Sequence, residues 1–521
     1  MCLAFLINNL KQPAVIFAGL FYLAACAPTP VQNEHDLSDE LDSLLVTTLS
    51  DIQDFYITEV NITDLVLNGL KRLDKSFDDL TIVVDGPILK FQINHETISS
   101  ATLTENQDDV EDLAFILAQF IEDTKNASHM LSNQNNDDII KIFLDGILEP
   151  LDRFSRYAGP DQASNERDHR EGFGGIGLVL GPHPKGAVVE VVNPGDPANA
   201  AGINEGDIII AVNGLITESK SVKFVSQLLR GPENQSVNVH ILRTGIDTPM
   251  IMNVGRKHIV PNTVFYHLKS GHPVIRISSF NQRTAKRIAE AVSIAMGDVD
   301  LTRKGLIIDL RNNPGGLLDQ AVDTADLFLN SGMVSQIDGR NPLSDQLFFA
   351  ESGDISAGAP IILLINGAAA SAAEILAAAL QDYGRALVVG TNSFGKGSVQ
   401  TVLALPNTGE LILTWAHFRS PKNYPLNEFG ILPNICTASF DNQSVSIQKN
   451  LIYQLDESLQ SFKNSRRELS DITPSVNNYR RHCPWQGTKN GEVEMDIAIY
   501  LLEHIQLYNH AISLITTDEN N

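Results

Sequence analysis

From Leu37 onward, apolar residues recur every three or four positions. Leu41, Leu44, Leu45, Leu49, Ile52 and Phe55 fall on one face of a helix, and Asp39 and Glu40 suit its first turn. Residues 80–95 break into two short runs around Asp85-Gly86-Pro87, which predicts a hairpin. Two more amphipathic helices are expected near 109–124 and 137–149, so residues 37–160 read as a mostly helical amino-terminal domain. Within it, 67–77 (LNGLKRLDKSF) and 144–154 (LDGILEPLDRF) echo each other weakly. The polar stretch 158–170 predicts a boundary. Over 171–255 the pattern changes to β-branched runs separated by glycine-containing turns, the mark of a small β-rich module. Over 256–440 strands and helices alternate. Strands are expected at 305–310, 361–366 and 385–390, helices at 317–329 and 371–383, and a hairpin at 399–405 and 410–418. That alternation predicts a layered α/β sheet with parallel pairs. The extension 441–521 closes on a helix near 491–515.

The first 36 residues read differently. Residues 13–25 are apolar and uncharged behind Lys11, too short to span a bilayer comfortably and matched to the core of a secretory signal. The run ends in Leu23-Ala24-Ala25-Cys26, which resembles a bacterial lipoprotein box. Residues 1–25 are then a signal peptide, Cys26 the lipidated residue and 26–36 a Pro-rich tether. The expected location is the bacterial cell envelope, anchored by lipid and facing the periplasm, at the outer membrane if the host is Gram-negative. In such an oxidising compartment Cys436 and Cys483 are candidates for a disulfide, with two buried thiols as the other reading.

Composition adds exclusions. With 521 residues and 43% apolar content, whole-chain disorder and a disulfide-dense miniprotein are excluded. A formal charge of −25 argues against nucleic acid as a partner. No paired Cys or His spacing points to a metal, and no cofactor is implied.

Ser371 falls where strand 361–366 has ended and a helix begins, amid alanines that leave its hydroxyl unshielded. There it would meet unpaired backbone N–H groups, although a plain N-cap serine fits the same string. Lys396 lies between Gly395 and Gly397, with Phe394 and Val399 able to form an apolar wall. A lysine desolvated there becomes a competent general base for a serine. Gln400, four residues on, would share its face in an extended segment and orient the amine. The turn Arg311-Asn312-Asn313-Pro314-Gly315-Gly316 exposes backbone N–H groups and is a candidate half of an oxyanion hole. His417 reads as a strand residue, and no Gly-x-Ser-x-Gly elbow surrounds Ser371.

Seven strings together resemble the carboxyl-terminal processing peptidases, also called tail-specific proteases. They are LDRFSRY (151–157), GFGGIGL (172–178), NPGDPANAAGINEGDIIIAVNG (193–214), LLRGPENQSV (228–237), IIDLRNNPGG (307–316), INGAAASAAEILAAALQDYGRALVVG (365–390) and SFGKGSVQT (393–401). The resemblance implies a PDZ domain at 171–255 and a crotonase/ClpP-like layered α/β protease core at 256–440. It implies that Gly174, Gly175, Ile176 and Gly177 bind the substrate's terminal carboxylate, and that Arg230 couples that site to catalysis. Ser371 falls on the nucleophile, Lys396 on the general base and Gln400 on its orienting residue. The N–H groups of Ala372 and Gly315 fall on the oxyanion donors. Where the family surrounds the nucleophile with serines, this chain has Ala369, Ala370, Ala372 and Ala373. The implied partners are protein or peptide tails with free carboxyl ends and a membrane through the lipid anchor, with a homo-oligomer or an adaptor left open. The alternatives are a catalytically silent PDZ scaffold and, more remotely, a crotonase-like enzyme acting on acyl thioesters.

Overall fold

A computed structural model describes residues 36–93, 95–103, 110–351, 353–438, 444–469, 475–484 and 492–516. The apolar leader, Cys26 and most of the tether lie outside these residues.

The amino-terminal region packs helices Leu37–Phe55, Ile62–Ser76, Val110–Ala127 and Asn136–Leu148 with a three-stranded antiparallel sheet, Thr81–Asp85, Ile88–Ile93 and Glu96–Thr102. The weak internal echo has a physical counterpart here. Gly69 and Gly146, its two glycines, face each other where helices Ile62–Ser76 and Asn136–Leu148 cross. A Cβ on Gly146 would lie 2.8 Å from the Gly69 Cα, and one on Gly69 would lie 2.6 Å from the Phe143 ring. Leu405, Leu411 and Leu413 from the later hairpin join this core, so the region is built onto the rest of the chain.

The polar stretch 158–170 has regular structure of its own. It is a strand end followed by a helix, Pro160–Arg170. No apolar periodicity marks it, but Pro160 and Asp161 suit a first turn and Arg167, His169 and Arg170 suit a last one. Arg167 and Arg170 both donate to the buried Glu410 carboxylate, at 2.9 and 2.8 Å.

The β-rich module forms a sheet in the order 250–255, 236–242, 208–212, 186–192 and 178–183. Strand Leu178–His183 is its open edge, and helix Val222–Leu229 packs beside that edge.

The remaining core holds two sheets. The first runs 264–269, 272–277, 306–309, 361–365, 386–390 and 435–436, parallel from the second strand on. Every residue of Leu306–Asp309, Ile361–Ile365 and Ala386–Gly390 is buried, so both faces need cover. Helices Thr284–Asp298, Leu318–Asp326 and Ala372–Asp382 cover one face. Helices of the carboxyl-terminal extension cover the other, packing Leu455, Leu459, Ile497, Ala498 and Leu501 on Ile307, Ile362, Leu364, Leu387 and Val389. The single helix expected near 491–515 is two, Val493–Glu503 and Ile505–Thr516. His504 breaks it at ψ 66°, and its Nδ1 lies 2.8 Å from the Tyr500 carbonyl. The second sheet joins 346–350, 332–339, 410–419 and 398–404. Among the described residues no helix is long and apolar enough to cross a membrane.

Candidate active site

Ser371 stands just before helix Ala372–Asp382 with φ 57°, a region few non-glycine residues adopt. The strain is held by bonds on either side. Ala370 N donates to Asn313 O at 2.9 Å, and Ser371 N donates to Glu374 Oε2 at 2.7 Å. A positive-φ serine between a buried strand and a helix is more than an ordinary cap, because a cap sits in extended backbone.

Glu374 organises more than its own helix. It is buried, and its two oxygens also accept from Ser393 Oγ, from Gly395 N at 2.7 Å and from Lys396 N at 2.9 Å. Burial pushes its carboxyl up, and the four donors pull it back toward the charged form. One carboxylate therefore fixes the backbone of both Ser371 and Lys396. The sequence carried a signal for it: Ser-x-x-Glu is the capping-box spacing.

Lys396 is half-buried, with Nζ 4.8 Å from the centre of the Phe154 ring. Burial is the largest cause holding its ammonium below the ordinary lysine range, followed by Arg156. Asp152 and Glu374 oppose this, and Arg153 adds to it. The residues around it come from LDRFSRY, a string to which sequence reasoning gave no role. Asp152 also accepts from Ser155 Oγ at 2.6 Å and from Thr414 Oγ1 at 3.1 Å.

Gln400 lies on the strand after Lys396, but not by simple alternation. Lys396 precedes strand Ser398–Ala404, and the ladder shifts register between Val399 and Gln400. Gln400 Nε2 donates to Ser398 Oγ at 2.9 Å and Thr414 Oγ1 at 3.2 Å, so its carbonyl oxygen is the end left to accept.

Gly315 packs directly on Ser371: a Cβ there would meet Ser371 Cβ at 2.8 Å and Ala372 N at 3.1 Å. Its own N–H donates to Asn313 Oδ1 at 2.8 Å. Among the described residues, the N–H groups of Ala372 and Gly316 donate to no protein acceptor. Asp309, Arg311 and Glu494 brace this turn from below, Arg311 donating to Asp309 at 2.7 Å and to Glu494 at 3.3 Å.

Ser371, Lys396, Gln400, Gly315 and Ala372 line one cavity of about 520 Å³. Phe280, Leu318, Ile375, Val399 and Phe418 give it an apolar wall, and Arg156, Glu166, His169 and Arg170 give it a polar rim. His417 is not among its lining residues; it pairs across from Ser398 in the ladder, and burial lowers its pKa. Among the described residues no cluster of His, Cys, Asp or Glu could hold a metal ion.

The remaining candidates lie apart from this cavity. Gly174 and Gly175 pair with His258 and Lys257 in a two-stranded ladder, and the Gly174 carbonyl accepts from Gly231 N at 3.0 Å. Ile176 is buried, and Gly177, at φ 80°, turns the chain into the open edge strand Leu178–His183. Arg230 ends helix Val222–Leu229, stacks 4.1 Å from the Phe173 ring centre and is ion-paired with Asp168 of helix Pro160–Arg170. Cys436 and Cys483 are disulfide-bonded, with Cys436 on the last strand of the first core sheet, opposite Gly390.

Residues 273–437 match the family model for peptidase family S41, and residues 162–242 match that for the PDZ domain. The chain is 36% identical to a carboxy-terminal-processing protease of Bartonella bacilliformis, over 57% of this chain and 69% of that one. It is 32% identical to a carboxyl-terminal-processing protease of a Synechocystis species, over 56% and 69%. A photosystem II D1 C-terminal processing protease is similar in structure with TM-score 0.34 and 24% identity, over 72% of this chain and 92% of that one.

Proposed function

The chain belongs to the carboxyl-terminal processing proteases of peptidase family S41 and carries a PDZ domain, and from that membership we propose that it cleaves proteins held by their free carboxyl ends, using Ser371 and Lys396. The observation that carries this reading is the shared cavity. A strained serine, a desolvated lysine and free backbone donors converge there on one apolar-walled space.

The substrate's last residues add as a strand to the open edge Leu178–His183, with the terminal carboxylate at the Gly174–Gly177 turn. The chain upstream enters the cavity. Neutral Lys396 takes the hydroxyl proton of Ser371, and Oγ attacks the scissile carbonyl. Lys396 then returns the proton to the leaving amine, and water resolves the acyl-enzyme by the same route. The N–H of Ala372 stabilises the oxyanion, joined by one from the Gly315-Gly316 turn. Gly315 serves once Asn313 Oδ1 releases it, whereas Gly316 is already unengaged. No hydrogen bond joins Ser371 Oγ to Lys396 Nζ among the described residues, and such bonds commonly tighten only when substrate is bound. Gln400, through its carbonyl oxygen, aims the amine. Lipidation of Cys26 and attachment in the bacterial envelope complete the proposal.

The test compares two peptides with the same apolar carboxyl end, one free and one amidated, with products read by mass spectrometry. The chain from Ala27 should cut the free-ended peptide faster, and Ser371→Ala and Lys396→Ala should each cut neither. Binding of the free end without cleavage would favour a silent PDZ scaffold, and substantial activity in Lys396→Ala would end the Ser–Lys assignment.

A further inference from the structure

One side chain of the carboxyl-terminal extension reaches the loop that carries Lys396. Arg480, on helix Val476–Arg481, donates through Nη2 to Phe394 O at 2.5 Å and through Nε to Glu428 O at 2.8 Å. Glu428 in turn donates its N–H to Gly395 O at 2.8 Å. Gly395 has φ 85°, and a Cβ there would lie 2.6 Å from Arg480 Nη2, so glycine leaves the space the guanidinium fills. The N–H of Phe394 donates to Ala369 O at 2.9 Å, two residues before Ser371. The Phe394 residue is therefore gripped by the nucleophile's turn on one side and by Arg480 on the other.

A helix of six residues does not hold its place alone. Among the contacts that fix this one, besides His482 Nδ1 at 3.1 Å from Ser461 Oγ, two matter most. Tyr479 is buried edge-on to Phe429, with ring centres 5.6 Å apart. Cys483, two residues after the helix, is bonded to Cys436. Cys436 lies on the last strand of the central sheet, opposite Gly390, and Gly390 ends the strand that runs directly into the Lys396 loop. The cystine thus ties the Arg480 helix to the strand end from which that loop departs.

We infer that Arg480 is a positioning residue for Lys396 and that the Cys436–Cys483 cystine keeps it in place, so that cleavage depends on the oxidation state of this pair. The inference rests on the Ser–Lys reading above. Arg480 acts through the backbone of the loop and touches no substrate. Reduction by an external dithiol breaks the one S–S bond. Two electrons and two protons pass to the cysteines, two thiols form, and the reductant closes its own disulfide; an oxidant reverses the exchange. A misplacement of about 1 Å in catalytic groups can cost of order a hundredfold. Glu374 also holds this loop, so a smaller loss, about tenfold, is expected here.

The experiment uses the full chain and the free-ended peptide, with and without dithiothreitol. Arg480→Ala should lower kcat about tenfold with KM within about twofold, and Arg480→Lys should recover part of it. Dithiothreitol should lower kcat of the unaltered chain by a similar factor, reversibly on reoxidation, and should lower Arg480→Ala little further. The double variant Cys436→Ala/Cys483→Ala should match the reduced chain and ignore dithiothreitol. Unchanged kcat in Arg480→Ala overturns the inference. So does an equal loss on reduction with and without Arg480, which marks the cystine as a purely structural tie. If the oxidised, unaltered chain cuts nothing, the Ser–Lys reading itself fails. Amide hydrogen exchange across 391–397 then decides the positioning: faster exchange in Arg480→Ala and on reduction supports it, and no change in either overturns it.

Discussion

Three features of its surroundings lower the pKa of Lys396 and two raise it. Burial and Arg156 favour the neutral amine, with Arg153 adding to them, while Asp152 and Glu374 favour the ammonium. On the proposed Ser–Lys mechanism only the neutral amine takes the Ser371 proton, so kcat/KM should rise as pH climbs through the lysine's pKa. Because that pKa lies below the ordinary value of about 10.4, the rise falls nearer neutrality. Arg156→Gln removes a neighbouring positive charge, so the lysine pKa should go up and the limb should move to higher pH with its plateau kept. Asp152→Asn should move it the opposite way. A pH series of kcat/KM on the free-ended peptide checks both, and a limb that stays put in Arg156→Gln would assign the titration to another group. Glu374→Gln replaces an accepting oxygen with an amide in a site already filled by four donors. It should cost about 1–3 kcal/mol in urea unfolding and most of the cleavage rate.

At the scale of elements, what could be read in advance depended on what holds each one. The strands Ile361–Ile365 and Ala386–Gly390 are apolar throughout and surface as runs in the sequence. The same runs imply cover on both faces, but nothing in them says which helices supply it. Leu501 and Ala498 pack on a sheet laid down more than a hundred residues earlier. Leu501→Ala should lower unfolding stability by about 2–5 kcal/mol, read as a lower urea midpoint, with little change in kcat below that midpoint. Helix Pro160–Arg170 was invisible to apolar periodicity because ion pairs hold it, and their partner, Glu410, is about 240 positions away. Face-sharing by Lys396 and Gln400 was argued from strand alternation, yet a register shift at Val399 stands between Lys396 and Gln400. The cavity unites them through the loop's hydrogen bonds to Glu374. Asp152, Phe154 and Arg156 were in plain view as a motif, but their role is set by where a distant lysine lands.

Across the whole molecule, helix Pro160–Arg170 is the piece that meets both sites. Its Asp168 pairs with Arg230 at the end of the PDZ helix, and its Glu166, His169 and Arg170 line the cavity that holds Ser371. Its anchor to the protease core is Glu410, with Thr408 O adding a 3.1 Å bond from Arg167. Any advantage that a docked carboxylate gives to cleavage is a coupling free energy between the two sites, and a coupling needs an element that both sites bias. Glu410→Gln keeps the side chain's size and removes the charge that Arg167 and Arg170 share. The PDZ groove is built from other residues, so its affinity for the free-ended peptide, measured by fluorescence anisotropy, should hold within about twofold. The kcat ratio of free to amidated peptide should instead fall toward one, because the helix between Arg230 and the cavity loses the charge that ties it to the protease core. A variant that keeps the full ratio would remove this helix from the coupling and leave direct contact between the docked chain and the cavity as the means by which the tail is sensed.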